Sequence, residues 1–222
     1  EDQSQLPGSE EVFVFAAWSG VLQKLVVATG HDATPPVKLP SNLRGLQVIS
    51  YDQCLFVTRL IPARSDNDPV GESLCRLDYR TNALHEVLSS SPSMRIKVSP
   101  KGRKALFVYL AEGESRERSD RSERWEIKDI QSGKTFCERH FDPGTFISAD
   151  AVWSPEGQYI AARNQKRDGH LILSTDTLDT VAAIAGTKRA ERPAFHPLST
   201  HICLCRADNT AILAMDRLLA RP

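Results

Sequence analysis

Apolar and polar residues alternate in short runs along most of the chain, a period of two that predicts strands rather than helices. Four stretches share a fuller plan: an apolar run, a polar turn and a second apolar run. They are LQVISYDQCLFVTRL (Leu46 to Leu60), MRIKVSPKGRKALFVYL (Met94 to Leu110), DAVWSPEGQYIAARN (Asp150 to Asn164) and RPAFHPLSTHICLCRAD (Arg192 to Asp208). The turn is Ser99-Pro100-Lys101-Gly102 in the second and Ser154-Pro155-Glu156-Gly157 in the third. Proline presets φ at the second turn position, and glycine at the fourth suits a type I turn leading into a strand. In the fourth stretch Pro197 keeps its place without the glycine, and in the first Tyr51-Asp52 replaces the pattern.

Two further alternating runs follow each of the first three hairpins, from Glu72 to Leu88, from Arg124 to Phe141 and from His170 to Gly186. Their clearest turns are Asp78 to Asn82 and Asp129 to Gly133, where Asn and Gly supply positive φ. The repeating unit is therefore four strands, a-b-c-d, joined by hairpins. Pro100 and Pro155 stand 55 residues apart and Pro155 and Pro197 stand 42 apart. Four-strand repeats of about 40–45 residues, lengthened by loops, are the mark of a β-propeller. The blades fall at 11–40 (partial), 45–90, 94–142, 148–186 and 191–219 (partial), after a flexible tail at 1–10. The stretch from Glu10 to His31 reads as a c-d pair around Trp18-Ser19-Gly20, and Asn209 to Leu218 reads as a c strand. Two arrangements remain open: terminal strands sharing one blade to close a ring of four or five, or a segment of a larger propeller that pairs with further blades.

The run Val152-Trp153-Ser154-Pro155-Glu156-Gly157-Gln158-Tyr159-Ile160-Ala161, together with Asp-x-x-Ser-Gly-Lys in the Asp129 turn of the preceding repeat, resembles WD40 and TolB-like propeller repeats. The resemblance covers roughly Val12 to Leu218. It implies an all-β, WD40-like β-propeller of four-stranded blades. It also implies a non-catalytic scaffold that binds other proteins in a larger complex. A TolB-like relation implies an alternative, an accessory propeller of a prolyl-oligopeptidase-type hydrolase. A third reading is a ligand- or metal-binding propeller.

Composition narrows the functional classes. The 222 residues carry 28 Lys+Arg and 28 Asp+Glu, so no global field attracts nucleic acid or an anionic membrane. No run approaches the roughly 20 apolar residues of a membrane helix. The start, EDQSQLPGSEE, has no basic and apolar succession of a secretion signal, although removal of a signal upstream stays open. Cys54, Cys75, Cys137, Cys203 and Cys205 are odd in number and scattered in apolar contexts. They fit reduced thiols, which points to an intracellular compartment, cytoplasmic or nuclear.

Two segments carry candidate chemistry. Ala111 to Ile127 (AEGESRERSDRSERWEI) reads as a long, charged b-c loop. Its Arg116, Arg118, Arg121 and Arg124, with Trp125, are candidate contacts to an acidic partner protein. Interleaved Glu114, Glu117, Asp120 and Glu123 argue against nucleic acid. In HICLC, His201, Cys203 and Cys205 alternate onto one strand face and are candidate zinc ligands. Alternate positions on one flat strand seldom wrap a tetrahedral ion, so the simpler reading is core packing. No catalytic motif and no cofactor-binding motif is present. Trp153, ending an a strand, is expected between blades.

Overall fold

The structure, a computed structural model, describes the backbone at residues 11–16, 21–26, 32–38, 43–48, 54–61, 71–78, 81, 83–88, 94–110, 122–143, 145–164, 169–185, 193–205 and 210–220. Residues 1–61 with 73–89 form one compact unit, and 62–72 with 90–222 form a second.

The first unit holds two antiparallel sheets. One is β1 (Glu11–Ala16), β2 (Val21–Val26) and β3 (Asp32–Lys38), in that order. β3 was not anticipated, because Pro35 and Pro36 interrupt its pattern. An edge strand tolerates proline, and the β2–β3 ladder skips both residues. The other sheet runs β4 (Leu43–Val48), β5 (Cys54–Ile61), β6 (Gly71–Asp78) and β7 (Ala83–Leu88). Leu74, Cys75 and Leu77 of β6 are buried.

The second unit holds three sheets, and its strands repeat one plan. β8 (Met94–Val98), β9 (Lys104–Leu110), β10 (Glu123–Asp129) and β11 (Thr135–Phe141) form the first four-stranded meander. β12 (Phe146–Trp153), β13 (Tyr159–Asn164), β14 (Gly169–Ser174) and β15 (Thr180–Ala185) form the second. β16 (Pro193–Phe195), β17 (His201–Cys205) and β18 (Thr210–Ala214) form the third, which has three strands among the described residues. The terminal runs β1–β3 and β16–β18 are thus separate sheets.

The a-b turns explain why the motif recurs. Ser99 N–H donates to Lys104 O at 2.8 Å, Gly102 N–H to Ser99 O at 2.9 Å, and Lys104 N–H to the Ser99 hydroxyl at 3.1 Å. Ser154, Gly157 and Tyr159 repeat these bonds at 2.8, 2.9 and 3.0 Å. Gly102 and Gly157 sit at φ 67° and 73°. His196-Pro197-Leu198-Ser199 takes the same path without glycine, holding Ser199 at φ 56°. There the His196 Nδ1 accepts from Leu198 N–H at 3.2 Å, an amide nearer in the turn than the Lys104 and Tyr159 amides that the serine hydroxyls take.

The c-d turns repeat too. Gly133 N–H donates to Asp129 O at 2.9 Å with φ 71°, and Leu178 N–H donates to Ser174 O at 2.9 Å with φ 62°. A third equivalent turn begins at Ala214 but winds into the short helix α1 (Met215–Leu219) instead. The equivalence rests on one bond made three times: Ile130 N–H to Arg103 O, Thr175 N–H to Gln158 O and Met215 N–H to Thr200 O, at 2.9, 3.0 and 2.9 Å. α1 stands where the other two sheets turn into a fourth strand.

The core lies between sheets. Leu106, Val108, Trp125 and Ile127 of the first meander pack on Trp153, Ile160, Ala162, Leu171 and Leu173 of the second. The second meander's opposite face, with Ala161, Ile172 and Ala182, packs on Ile202, Leu204 and Met215. Consecutive residues of β13 and β14 therefore face different cores, as strand geometry requires. Trp153 lies between sheets as expected, and its Nε1–H donates to Lys97 O at 3.1 Å.

Two backbone features give testable costs. A Cβ on Gly169 would lie 2.2 Å from Ile184 O, where β14 and β15 approach closely. Gly169→Ala is expected to cost about 2–3 kcal/mol. Gly157→Ala, strained in φ but meeting only Ser99 Cβ at 3.9 Å, should cost about 1 kcal/mol. Equal losses in urea unfolding would contradict the close approach. Leu178 is fully buried at positive φ. Leu178→Ala should cost roughly 3 kcal/mol, and Leu178→Gly about 1 kcal/mol less, because glycine relieves the backbone. The usual order, alanine better than glycine, would argue against the turn.

Candidate interaction surface

Two regions of the second unit present chemistry outward. The first surrounds Glu126 on β10. Register places Arg124, Glu126 and Lys128 on the face opposite Trp125 and Ile127. The Glu126 carboxylate is buried and meets Arg124 Nη2 at 3.2 Å, Lys128 Nζ at 2.8 Å and the Tyr109 hydroxyl at 3.2 Å. The Arg124 guanidinium stacks 4.3 Å from the Tyr109 ring centre and reaches Glu138 at 4.0 Å. Desolvation works against charge on Lys128, but its hydrogen bonds to Glu126 and Tyr109 outweigh that, so its pKa is raised. Burial, chiefly, raises the Tyr109 hydroxyl as well.

These positions revise the loop expectation. β10 begins at Glu123, so Arg124 and Trp125 belong to the alternating run read from Arg124 and not to the charged loop that overlapped it. Trp125 is 0% exposed. Its ring meets Phe141 edge-on at 5.3 Å, and its Nε1–H donates to Glu123 at 2.7 Å. As a partner contact Trp125 is therefore corrected: it is a core residue, drawn inward because its strand alternates charged and apolar positions. Arg124 remains partly exposed but is tied to Glu126 and Glu138. Arg116, Arg118 and Arg121 lie outside the described residues.

The second region is the third sheet. Ile202 and Leu204 of β17 face the core, so the opposite face carries His201 and Cys203. His201 is exposed and Cys203 half-buried, which corrects the expectation that this face is core. The Cys205 side chain lies outside the described residues. His201 Nδ1 shares a hydrogen bond with the Thr200 hydroxyl at 3.0 Å, and that hydroxyl also meets His196 Nδ1 at 3.2 Å. Among the described residues, no group of three or more His, Cys, Asp or Glu is placed to hold a metal ion. No described helix is long and apolar enough to cross a membrane.

What this face does carry is apolar surface. Register aligns Ala194, Cys203 and Ile212 in one row across β16, β17 and β18. Ile212 is 68% exposed. Beside it an open cleft of about 1230 Å³ runs between β15, β18 and α1, with Ala183, Ala185, His201, Asp216 and Arg217 on its walls. Leu198, in the third a-b turn, and Phe136, on β11, are the other large apolar side chains exposed among the described residues. Sequence inspection missed Ile212. The signal was available in TAILA, whose alternation gives both faces of β18 an apolar residue.

No family model matches the sequence, and no curated protein matches it. Solved structures do match in fold. Over 96% of its length this chain superposes on 64% of a hydrazine synthase chain from Kuenenia stuttgartiensis, with a TM-score of 0.55 and 15% identity. Over 92% of its length it superposes on 56% of Hsv2 from Kluyvelomyces marxianus, with a TM-score of 0.55 and 10% identity. The chain therefore spans less than two thirds of either neighbour. The fold is all-β and of the propeller type, built of antiparallel sheets with four strands as the repeating unit.

The Glu126 cluster predicts a pH dependence. Lys128 and Tyr109 both bind their protons more tightly in the folded chain than in the unfolded one. Their contribution to stability is complete below about pH 10 and is lost as pH rises through their raised values. Urea midpoints should fall from pH 9 to pH 11, and Lys128→Met should flatten that fall. An unchanged slope in the variant would remove Lys128 from the account.

Proposed function

We propose that the chain is a non-catalytic protein-interaction platform, a WD40-like or TolB-like propeller that holds other proteins within an assembly. One observation carries this reading: the outer face of the third sheet is apolar in its central row and open at Ile212. Surface isoleucines are ordinary when single. Here the isoleucine continues a row with Ala194 and Cys203, beside a cleft, which is the composition of an interface centre rather than of a solvated face. The polar rim, with His201, Asp216 and Arg217, supplies groups that fix orientation. The fold by itself argues for no activity, since 578 solved chains match it.

The test is a single charge on that face. Ile212→Lys should lower recovery of co-purifying proteins at least tenfold, by quantitative mass spectrometry, while stability stays within about 0.5 kcal/mol of the parent. Thr177→Lys, on an exposed c-d turn, should leave recovery unchanged. Equal recovery with parent and Ile212→Lys would sink the assignment of this face.

A further inference from the structure

Three a-b turns share one backbone path, but the residues that open them differ in their chemistry. Ser99 and Ser154 gain no proton near neutral pH, whereas His196 does. The third turn also does without glycine. Ser199 stands at φ 56° where Gly102 and Gly157 stand at 67° and 73°. A left-handed serine is strained, so this turn depends more than the other two on its side-chain bonds.

Those bonds fix where the protons are. Pro197 has no N–H, so Leu198 carries the first amide after His196, and it donates to His196 Nδ1 at 3.2 Å. That nitrogen therefore holds a lone pair, and the ring proton sits on Nε2. The Thr200 hydroxyl, 3.2 Å from the same nitrogen, must then donate to it as well. Its oxygen in turn accepts from His201 Nδ1–H at 3.0 Å. The two imidazoles, their ring centres 6.2 Å apart, thus hold opposite tautomers. A second proton on His201 enters at Nε2 and leaves its bond to Thr200 intact. A second proton on His196 enters at Nδ1, the acceptor of two bonds, and opposes both donors.

We propose that the third a-b turn is a proton-operated latch, closed on neutral His196 and released when His196 is protonated. The ring is exposed, so solvent supplies the proton. Release frees Leu198 N–H and the Thr200 hydroxyl and lets Ser199 leave the left-handed region. Two neighbours feel it. Thr200 O holds the N–H of Met215, the first residue of α1, at 2.9 Å, and the Ser199 hydroxyl takes Glu156 N–H of the second a-b turn at 3.4 Å. Ser199, Thr200 and His201 line the cleft beside α1, so release reshapes one of its walls. The charged and titratable groups on these elements are His201 on β17, Asp216 and Arg217 on α1, and Glu156, which Lys101 pairs. Histidines charge between about pH 8 and pH 5, so the latch is closed at the upper end of that window and open at the lower end.

The experiment follows the full chain, labelled with nitrogen-15, by NMR from pH 8 to pH 5. At pH 8 His196 should carry its proton on Nε2, and His201 on Nδ1. As the pH falls, the Leu198 and Met215 amide signals should move together with the His196 ring. Protection of the Met215 amide against hydrogen exchange, corrected for the intrinsic rate, should fall at least tenfold. His196→Ser, which installs the opening residue of the other two turns, should fold and hold that protection constant. His201→Gln should keep the parent's response. A His196 proton on Nδ1 at pH 8 would overturn the latch. So would constant Met215 protection in the parent, or a fall that His201→Gln removes and His196→Ser keeps.

Discussion

A sheet with apolar residues on both faces cannot hide either face by itself. That constraint governs the second unit. β13 sends Ile160 and Ala162 to one side and Ala161 to the other, and β14 divides Leu171 and Leu173 from Ile172 in the same way. Fully burying a side chain of this size is worth about 1.5–3 kcal/mol. Ten or so such residues per contact exceed what the hairpins gain from their own hydrogen bonds, each worth about 1 kcal/mol net. The sheets therefore stack because their strands are two-faced, and the turns serve to bring the next sheet round.

The turns then bear costs that the stacking offsets. Leu178 occupies the place of Gly133 at positive φ, which strains a leucine by roughly 1–2 kcal/mol. Its side chain is fully buried in the core between the first two meanders, and its carbonyl accepts from Arg139 at 3.0 Å. The strained residue thus closes both a turn and a sheet contact. Polar links follow the same geometry. Thr175 donates from its hydroxyl to Gly157 O at 2.9 Å, Lys104 meets Asp176 at 3.1 Å, and Lys101 pairs with Glu156 of the neighbouring a-b turn. The exposed pairs among these add little stability in water, but each links the first meander to a turn of the second.

The repeat was legible because its punctuation is chemical. Pro100 and Pro155 preset a dihedral, Gly102 and Gly157 permit one, and the alternation between them has period two. Where punctuation failed, reading failed. Pro35 and Pro36 obscured β3. Arg124 to Ile127 fell in two overlapping readings, a charged loop and an alternating run, and the alternation is what buries the tryptophan. α1 went unseen because MDRLL is too short for a helical period to declare itself. The HICLC face was assigned to the core because both of its faces read as apolar. Hydrophobicity along one strand does not say which face has a neighbour; only the cross-strand row does.

That last distinction separates what a repeat encodes from what a particular copy uses. The isoleucine at positions 127, 172 and 212 is the same in all three sheets. In two of them it is a core residue, and there its retention explains itself. In the third it faces outward, where lysine, threonine or glutamate would keep the strand equally well and leave a solvated surface. Natural edges and outer faces are blunted by such charges. β18 reads TAILA and has none, and the neighbouring Cys203 and Ala194 have none either. There an interior row stands at the surface without a single charge, so the same residue type meets water in one copy and apolar side chains in the other two.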